Sequence, residues 1–469
     1  MSTTPTFLKS NWIKAQKRRG PQMKNAPTFY RNLEEALDLR RADHSMFTCI
    51  PSVWKLGQAH DFSSNDTLSL SQTGEIRRAF LDELGRHPDF MMHSGGSRVY
   101  DGNYSYIEDV EAEIATFHGA ETALIMGSGY EANVAIFTAI PRPGDAIVYD
   151  ELVHASTLDG IATSLAQSRV SFRHNDVDAF TDAIASVLDS QPQIADGSRS
   201  VLVAVESLYS MEGDICPLAD MLDVAKEMCP RGNVEFIIDE AHTTGNLGPK
   251  GAGLVSQLGL EKQIAVRLHT FGKALASSGA VILGNTTVRH ALLNFARNIV
   301  FSTAPSFPIV AGMRAAYNIL RDGKTQLYLD KVQRLVKHFF QAIESNPHWS
   351  EAIEQGIFNI LGYEDWKDRQ NHAHMVLVRT RHRVWWLFFE LQLAGISVFP
   401  IEYPTVPRGQ GRVRLMFHAA NTEEQVELVV KTMGDWAAEM LAIEASSNGG
   451  KGKIPKAAQA VYAAMNSQS

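Results

Sequence analysis

The feature that most constrains the fold of this chain is a repeated alternation of short apolar runs with helical stretches, from about Gln72 to Asn285. The apolar runs are rich in β-branched residues and end in polar ones, as in TALIM, DAIVYD, SVLVAVES, VEFIIDE and AVILGN. Strands buried on both faces of a parallel sheet have this character, and the helices between them serve as crossover connections. The sequence therefore predicts an α/β fold with a mostly parallel central sheet and a ligand site beyond the carboxyl ends of its strands.

The length of 469 residues is sufficient for two domains of ordinary size. We predict an N-terminal arm and helix over residues 1–60, a large domain over 61–305, a smaller C-terminal α/β domain over 306–444 and a tail over 445–469. The arm contains the helical pattern YRNLEEALDLRRA. The small domain starts with a long helical region, from about Ser306 to Asn346, and continues with short strands around MVLVRT, GISVFPI and RVRLMFH.

The composition argues against several classes of protein. A formal net charge of −8 lacks the basic excess that nucleic-acid binding requires. Three scattered cysteines, Cys49, Cys216 and Cys229, make no disulfide framework, and no CxxC or HExxH spacing predicts a metal site. No apolar run approaches the about 18 residues that an integral membrane segment needs. We expect a globular protein of a reducing compartment.

The N-terminal segment is basic. It contains no acidic residue up to Leu33 but seven basic residues, Lys9, Lys14, Lys17, Arg18, Arg19, Lys24 and Arg31. A solvated basic extension on a cytoplasmic protein has this composition. A mitochondrial transit peptide has it too and is the alternative.

Two residues, Asp239 and Lys273, are the strongest candidates for a catalytic role. Asp239 ends the apolar run FIID, and Lys273 follows another predicted strand in HTFGKAL. A buried lysine can lose its proton and form a Schiff base, and a nearby carboxylate can keep a pyridine nitrogen protonated. These are the two demands that pyridoxal phosphate makes of a protein, whereas a structural ion pair or two unrelated surface charges are the alternatives.

Further candidates follow the same strands. The turn GSGYEAN, Gly127 to Asn133, opens a helix whose free N–H groups suit a phosphate, and the Thr270 hydroxyl is available to the same group. His154 could stack on a cofactor ring, and His242 could bond a phenolic oxygen, although lone histidines are more often core or surface residues. Arg412 and Arg414 face the same side of a strand, where either could bind a substrate carboxylate.

Ten stretches, in order from about residue 61 to 414, resemble the α-oxoamine synthase family of pyridoxal-phosphate enzymes, and 8-amino-7-oxononanoate synthase is the most similar branch. They are DFSSNDTLSLS, HSGGSRVYDGN, EDVEAEIATFHGAETALIMGSGYEAN, DELVHASTLDGI, SFRHND, ESLYSMEGDICPL, DEAHTTGNLGPKGAG, HTFGKALASSGA, FSTAP and YPTVPRGQGRVR. The resemblance implies the fold type I of pyridoxal-phosphate transferases, with a large and a small domain.

The resemblance also implies roles for individual residues. Lys273 would bind the cofactor covalently and Asp239 would pair with its ring nitrogen. His154 would stack on the ring, with His242 and Ser207 near its phenolic oxygen. The remaining implied residues lie around the phosphate or ring (Ser128, Gly129, Tyr130 and Thr270), at the phosphate of a neighbouring subunit in a homodimer with shared active sites (Thr303), and at the amino-acid carboxylate (Asn65 and Arg412).

The sequence departs from the family pattern at three positions. Bacterial relatives carry histidines in a GNHxxHxxLE segment, where this chain has Tyr104 and Ile107, and Glu212 in SMEGD replaces an aspartate. The changed histidine positions put the acyl-donor side of the pocket in doubt.

The activity implied by the resemblance is the decarboxylative condensation of an amino acid with an acyl thioester, either acyl-CoA or a carrier-protein thioester. Alanine is the preferred amino acid, and serine or glycine are alternatives. A synthase that releases a polyketide or fatty-acyl chain from a carrier protein is an alternative within the family. The other two alternatives are an aminotransferase of the same fold and a catalytically silent partner subunit, against which the presence of Lys273 argues.

Overall fold

The computed structural model describes residues 11–49, 52–446 and 452–467. The first ten residues of the predicted arm, most of the SSNGGKGK stretch and the last two residues of the tail lie outside the described residues.

The secondary structure alternates helices and strands through the middle of the chain. The α-helices are α1 Asn11–Ala15, α2 Thr28–Ala42, α3 Glu75–Gly85, α4 Ser105–Phe117, α5 Gly129–Ala139, α6 Ala155–Ala162, α7 Val177–Ser190, α8 Pro192–Ala195, α9 Leu218–Met228, α10 Leu254–Leu258, α11 Thr286–Phe295, α12 Arg297–Val300, α13 Phe307–Arg321, α14 Gln326–Glu344, α15 Pro347–Glu354, α16 Val384–Leu393, α17 Glu423–Ala445 and α18 Lys456–Ser467. The strands are β1 His60–Asp61, β2 Thr122–Met126, β3 Ala146–Asp150, β4 Ser168–Phe172, β5 Val201–Glu206, β6 Val234–Asp239, β7 Val266–Thr270, β8 Ala280–Gly284, β9 Phe358–Ile360, β10 Met375–Thr380, β11 Ile396–Ser397, β12 Pro400–Ile401 and β13 Arg412–Met416.

The chain divides into two compact units. One comprises residues 65–334 and 418–420, and the other comprises residues 1–64, 335–417 and 421–469. Residues 306–334, which the sequence analysis assigns to the small domain, belong to the first unit. The predicted domain bounds otherwise stay a prediction.

The first unit contains a seven-stranded sheet in the order β2-β8-β7-β6-β5-β3-β4. Strands β7, β6, β5, β3 and β4 are parallel to one another. The mostly parallel sheet that the apolar runs predict is therefore confirmed. Strand β5 shows the alternation that covers both faces, because Val201, Val203 and Val205 pack in one hydrophobic cluster whereas Leu202 and Ala204 pack in another.

The direction of β8 differs from the prediction. The run AVILGN has the apolar character of a parallel strand, but β8 pairs antiparallel with both β2 and β7. Only the loop 271–279 joins β7 to β8. A crossover helix needs a dozen or more residues, so this connection is too short for parallel pairing and forces the chain to reverse.

The second unit contains a four-stranded antiparallel sheet in the order β12-β13-β10-β9 and a two-stranded parallel sheet of β1 and β11. The predicted strands around MVLVRT and RVRLMFH correspond to β10 and β13. The long helical region predicted from about Ser306 is two helices, α13 and α14, separated by residues 322–325. Within the described ranges, none of the helices is long and apolar enough to cross a membrane.

Candidate active site

A cavity of about 410 Å³ lies in the first unit, beyond the carboxyl ends of several parallel strands. Its lining includes Asp239 at the end of β6 and Thr270 at the end of β7. The structure brings nine of the predicted site residues together around this cavity: Asn65, Ser128, Gly129, Tyr130, His154, Asp239, His242, Thr270 and Lys273.

Lys273 lies on the tight loop between β7 and β8. The loop is closed by two backbone bonds, from Phe271 N to Gly279 O at 3.0 Å and from Ser277 N to Phe271 O at 2.9 Å. Phe271 and Leu275 are fully buried on either side of the half-buried lysine. These anchors fix the backbone from which the Lys273 side chain enters the cavity.

A buried hydrogen-bond network orients the Asp239 carboxylate. Asn133 Nδ2 donates to Asp239 Oδ2 at 2.8 Å, and the backbone N–H of Ala241 donates to Oδ1 at 2.9 Å. The same Asn133 nitrogen donates to Ser156 Oγ at 3.0 Å, which lies 2.7 Å from His154 Nδ1. The network therefore connects the predicted ring-nitrogen partner with the predicted stacking histidine.

The charges in the cavity affect one another. Desolvation and the positive charge of Lys273 lower the pKa of His154, against the opposing effect of Asp239. Burial and the negative charge of Asp239 raise the pKa of Glu206 well above its ordinary value. Glu206 Oε1 accepts a bond from His154 N at 2.6 Å. A neutral imidazole and a protonated Glu206 are thus favoured beside the Asp239–Lys273 pair.

The N-terminus of α5 forms one wall of the cavity. The Ser128 hydroxyl caps the helix by accepting a bond from Glu131 N at 3.2 Å. A β-carbon on Gly129 would clash with Thr270 Cγ2, so only glycine allows the helix to approach the end of β7. Thr270 Oγ1 is buried and has no hydrogen-bond partner within the described residues. A helix N-terminus beside an unsatisfied hydroxyl suits an anionic oxygen group.

The structure does not place Ser207 in the cavity. Ser207 follows β5 directly and is fully buried, with its Oγ 2.7 Å from Thr243 Oγ1 and 3.1 Å from Asp239 O. Ser210, three residues later, lines the cavity instead. The predicted place of Ser207 near the cofactor's phenolic oxygen stays a prediction, and Ser210 is a second serine of ESLYSMEGD that could serve there.

Two other predicted residues do not line this cavity. Thr303 is exposed and follows α12, and its predicted contact with a neighbouring subunit stays a prediction. Arg412 belongs to the second unit, where it is fully buried and its Nε donates to Gln410 O at 3.1 Å. Its predicted role toward a substrate carboxylate likewise stays a prediction.

The two positions that replace the family's histidines have structural roles. Tyr104 Oη donates to Pro305 O at 2.8 Å, and burial raises the pKa of Tyr104 to about 12. Ile107 is fully buried in a hydrophobic cluster with α13 residues. Neither side chain lines the cavity.

Sequence reasoning missed several polar residues of the cavity wall, Asn133, Ser156, Glu206, Ser210, Ser277 and Ser278. All six lie inside or beside stretches that the family resemblance already contained. Only the fold shows which side chains of each stretch point into the cavity.

An ion cluster fixes the loop that carries Ser210. His174 Nδ1 lies 3.0 Å from both oxygens of the fully buried Asp150, and its Nε2 lies 3.0 Å from Asp214 Oδ2. These two carboxylates outweigh desolvation and raise the pKa of His174 to about 10. We call this set, Asp150, His174 and Asp214, the histidine clamp.

The sequence was compared with known proteins. The family model for aminotransferase class I and II matches residues 59–433. The aminoacyl transferase sphA of Aspergillus fumigatus is 60% identical, with coverage of 97% of this chain and 96% of the relative. The 8-amino-7-oxononanoate synthase of Emericella nidulans is 40% identical, covering 87% and 96%.

The fold was compared with solved structures. The serine palmitoyltransferase of Sphingomonas wittichii matches with a TM-score of 0.66 at 23% identity, covering 81% of this chain and 88% of that protein. At this identity, the match supports the fold alone.

Proposed function

This chain belongs to the aminotransferase class I and II family and, within it, to the α-oxoamine synthases, and we propose that it is a pyridoxal-phosphate-dependent transferase that condenses an amino acid with an acyl thioester. One observation carries the proposal: Lys273 and Asp239 line the same cavity, together with a helix N-terminus and the Thr270 hydroxyl, which has no hydrogen-bond partner among the described residues.

The residues of the cavity fit pyridoxal 5′-phosphate. Lys273 would hold the cofactor through its ε-amino group and Asp239 would hold the ring nitrogen. The Thr270 hydroxyl, the N-terminus of α5 and Ser128 would hold the phosphate, since Thr270 Oγ1 lacks a partner in the described part of the chain. When bound, the cofactor supplies an electron sink for negative charge that develops at the amino acid's Cα.

The chain's own residues position the substrate and move protons. The Lys273 amine, once free, is the base in the cavity for the Cα proton. Asp239 keeps the facing nitrogen protonated, and its orientation depends on Asn133 and the Ala241 N–H. His154 and His242 would pack on the ring and bond its phenolic oxygen, while Asn65 and Arg412 would bind the amino-acid carboxylate.

The similarity to relatives favours one type of acyl transfer. The sphA aminoacyl transferase is more similar than the 8-amino-7-oxononanoate synthase and is matched over more of this chain. In addition, Tyr104 and Ile107 are structural residues here. We therefore propose a specialised synthase, similar to sphA, that transfers the acyl group of a coenzyme A or carrier-protein thioester to the Cα of an amino acid with release of thiol and carbon dioxide, and the alanine-dependent 8-amino-7-oxononanoate reaction is the second candidate.

A substrate matrix tests the proposal. The purified protein is incubated with alanine, serine or glycine and with acyl-CoA or acyl-carrier-protein thioesters of different chain length, and free thiol and carbon dioxide are measured. We expect both products in equal amounts for at least one pair and none with the Lys273→Ala variant. Production of a keto acid without thiol release would instead identify an aminotransferase, and no cofactor absorption would identify a silent subunit.

We propose a homodimer as the active form and the cytoplasm as its compartment, with the mitochondrion as the alternative. The three cysteines are free, and Cys216 and Cys229 are buried. Sedimentation of the purified protein tests the dimer, and fractionation of cells that express a tagged chain tests the compartment.

A further inference from the structure

The second unit contains a cleft of about 800 Å³ between α2, the start of α16 and the loop that precedes β13. Four arginines line it, Arg40, Arg381, Arg383 and Arg408, against two carboxylates, Asp43 and Glu402. The cleft therefore has more positive than negative side chains, whereas the whole chain has a net charge of −8. We define these residues as the arginine cleft.

Three of the arginines have no acidic partner among the described residues. Within the part of the chain that the structure describes, no ion pair joins Arg40, Arg383 or Arg408 to a carboxylate. Arg381 differs, because it pairs with Glu444. Arg41 differs as well, because it is the neighbour of Arg40 on α2 and lies 2.6 Å from both Glu34 and Asp38.

The three unpaired guanidinium groups are nevertheless held in place. Arg40 lies over the Phe47 ring at 5.3 Å, and Arg408 lies over the Tyr403 ring at 4.5 Å. Arg383 donates to the backbone oxygen of Asp43. Stacked and anchored guanidinium groups lose less conformational entropy when they bind an anion.

The surroundings of the cleft favour negative charge. Val384, the first residue of α16, lines the cleft, and α16 has neither a side-chain cap nor an acidic residue in its first turn. Desolvation and the positive charge of Arg383 also lower the pKa of the neighbouring His44. Of the two carboxylates, Glu402 accepts a bond from Trp385 Nε1 at 2.8 Å, which fixes the position of its side chain.

We propose that the arginine cleft is a binding site for a small phosphate ester of about nucleotide size, built from residues other than those that line the reaction cavity. Guanidinium groups bind phosphate oxygens with paired hydrogen bonds, and three of them without acidic partners match a ligand with more than one negative charge. The volume of about 800 Å³ is within the range of small-molecule sites and exceeds what a single carboxylate needs. A nucleotide phosphate and a pantetheine phosphate share this chemistry.

Isothermal titration of the cofactor-saturated protein tests the proposal without using turnover, so its outcome is independent of the proposed reaction. Saturation with pyridoxal phosphate keeps the probes out of the position that the cofactor's own phosphate takes, and the variants below locate the remaining binding. The probes are inorganic pyrophosphate, 3′,5′-ADP, 4′-phosphopantetheine and phosphate-free pantetheine. We expect binding of pyrophosphate and of at least one phosphate ester, and no binding of pantetheine.

Substitutions locate the site. The double variant Arg40→Gln with Arg408→Gln should weaken pyrophosphate and phosphate-ester binding at least tenfold. Replacing the same two residues with lysine should restore part of the affinity, because lysine keeps the positive charge but cannot donate two parallel hydrogen bonds to one phosphate. Arg31→Gln, on α2 outside the cleft, is the matched control and should bind like the wild type.

The two phosphate esters show which kind of ligand the arginine cleft prefers. Stronger binding of 3′,5′-ADP would indicate a nucleotide phosphate, and stronger binding of 4′-phosphopantetheine would indicate the phosphate of a pantetheine arm. Unchanged affinity in the glutamine double variant, or equal binding of phosphate-free pantetheine, would overturn the proposal.

Discussion

At the scale of single residues, Asp239 shows how contacts from other elements orient a carboxylate at the end of a strand. The sequence places the carboxylate after an apolar run, but its orientation comes from Asn133 and the Ala241 N–H. Residues 106 positions apart meet there because α5 and β6 converge on the same edge of the sheet.

The first prediction concerns that carboxylate. Asp239→Asn should keep cofactor binding but slow exchange of the amino acid's Cα proton by about 100-fold or more, because a neutral amide cannot keep the facing nitrogen protonated. The measurement is proton exchange into deuterated water followed by nuclear magnetic resonance. Wild-type exchange in this variant, with the cofactor bound, would contradict the role of Asp239.

The second prediction separates two serines. Ser210→Ala should reduce turnover with little change in stability, since Ser210 lines the cavity. Ser207→Ala should instead lower the free energy of unfolding by about 1 kcal/mol, since it removes a buried hydroxyl pair with Thr243. Steady-state kinetics and urea unfolding of both variants give the comparison. A larger loss of activity in Ser207→Ala at full stability would reverse the assignment.

This pair also shows the limit of sequence reasoning at the residue scale. Motif order identified the stretch ESLYSMEGD, and strand periodicity identified its apolar part. The turn that follows β5 decides which serine lines the cavity, and that turn is held by the distant contacts of Ser207 with Thr243 and of Asp214 with His174.

At the scale of secondary-structure elements, the histidine clamp joins three strand ends. Asp150 ends β3, His174 follows β4, and Asp214 lies on the loop after β5. These ion pairs link the ends of β3 and β4 to the loop after β5 and so position the loop that carries Ser210.

The clamp leads to a prediction about pH. The folded pKa of His174 is raised from 6.5 to about 10, so its stabilisation is complete below pH about 6.5 and is lost as the pH rises through about 10. The difference in unfolding free energy between the wild type and His174→Gln should therefore shrink from pH 7 to pH 10. Urea unfolding at each pH measures it.

A matched control makes this test specific. The control variant His348→Gln changes an exposed histidine of the second unit. The difference in unfolding free energy between the wild type and this variant should not shrink from pH 7 to pH 10 in the same way. A wild-type advantage that stays constant between pH 7 and pH 10 would exclude an ionised His174 as its source.

The elements themselves were largely predictable. Apolar runs located β2, β3, β5, β6 and β8, and the helical pattern located α2, because local periodicity reflects burial. The reversal of β8 and the break between α13 and α14 depend on connection length and on tertiary packing, which periodicity does not contain.

At the scale of the whole molecule, the proposed shared active site makes a prediction about mixed dimers. Lys273→Ala and Thr303→Ala proteins are unfolded together, refolded together and assayed. If Thr303 serves the partner's cavity, each mixed dimer contains one site with both native residues, and activity should exceed that of either variant alone. Activity equal to the sum of the separately refolded variants would mean that each cavity uses only its own chain.

The second unit is assembled from distant parts of the chain. Trp12 in α1 stacks on Trp385 in α16 with ring centroids 5.1 Å apart, and Trp386 Nε1 donates to Tyr462 Oη in α18 at 3.2 Å. Residues near both ends of the described chain are therefore packed against one helix.

This arrangement has a consequence during biosynthesis. Ribosomes add about 5–20 residues per second, so α16 emerges roughly 20–75 s after Trp12 does. During that interval the first unit can complete its sheet, while Trp12 and Ile13 remain without the surface that later buries them. The nascent N-terminal segment is thus a natural client for chaperones that shield apolar side chains, and its capture should end when α16 leaves the exit tunnel.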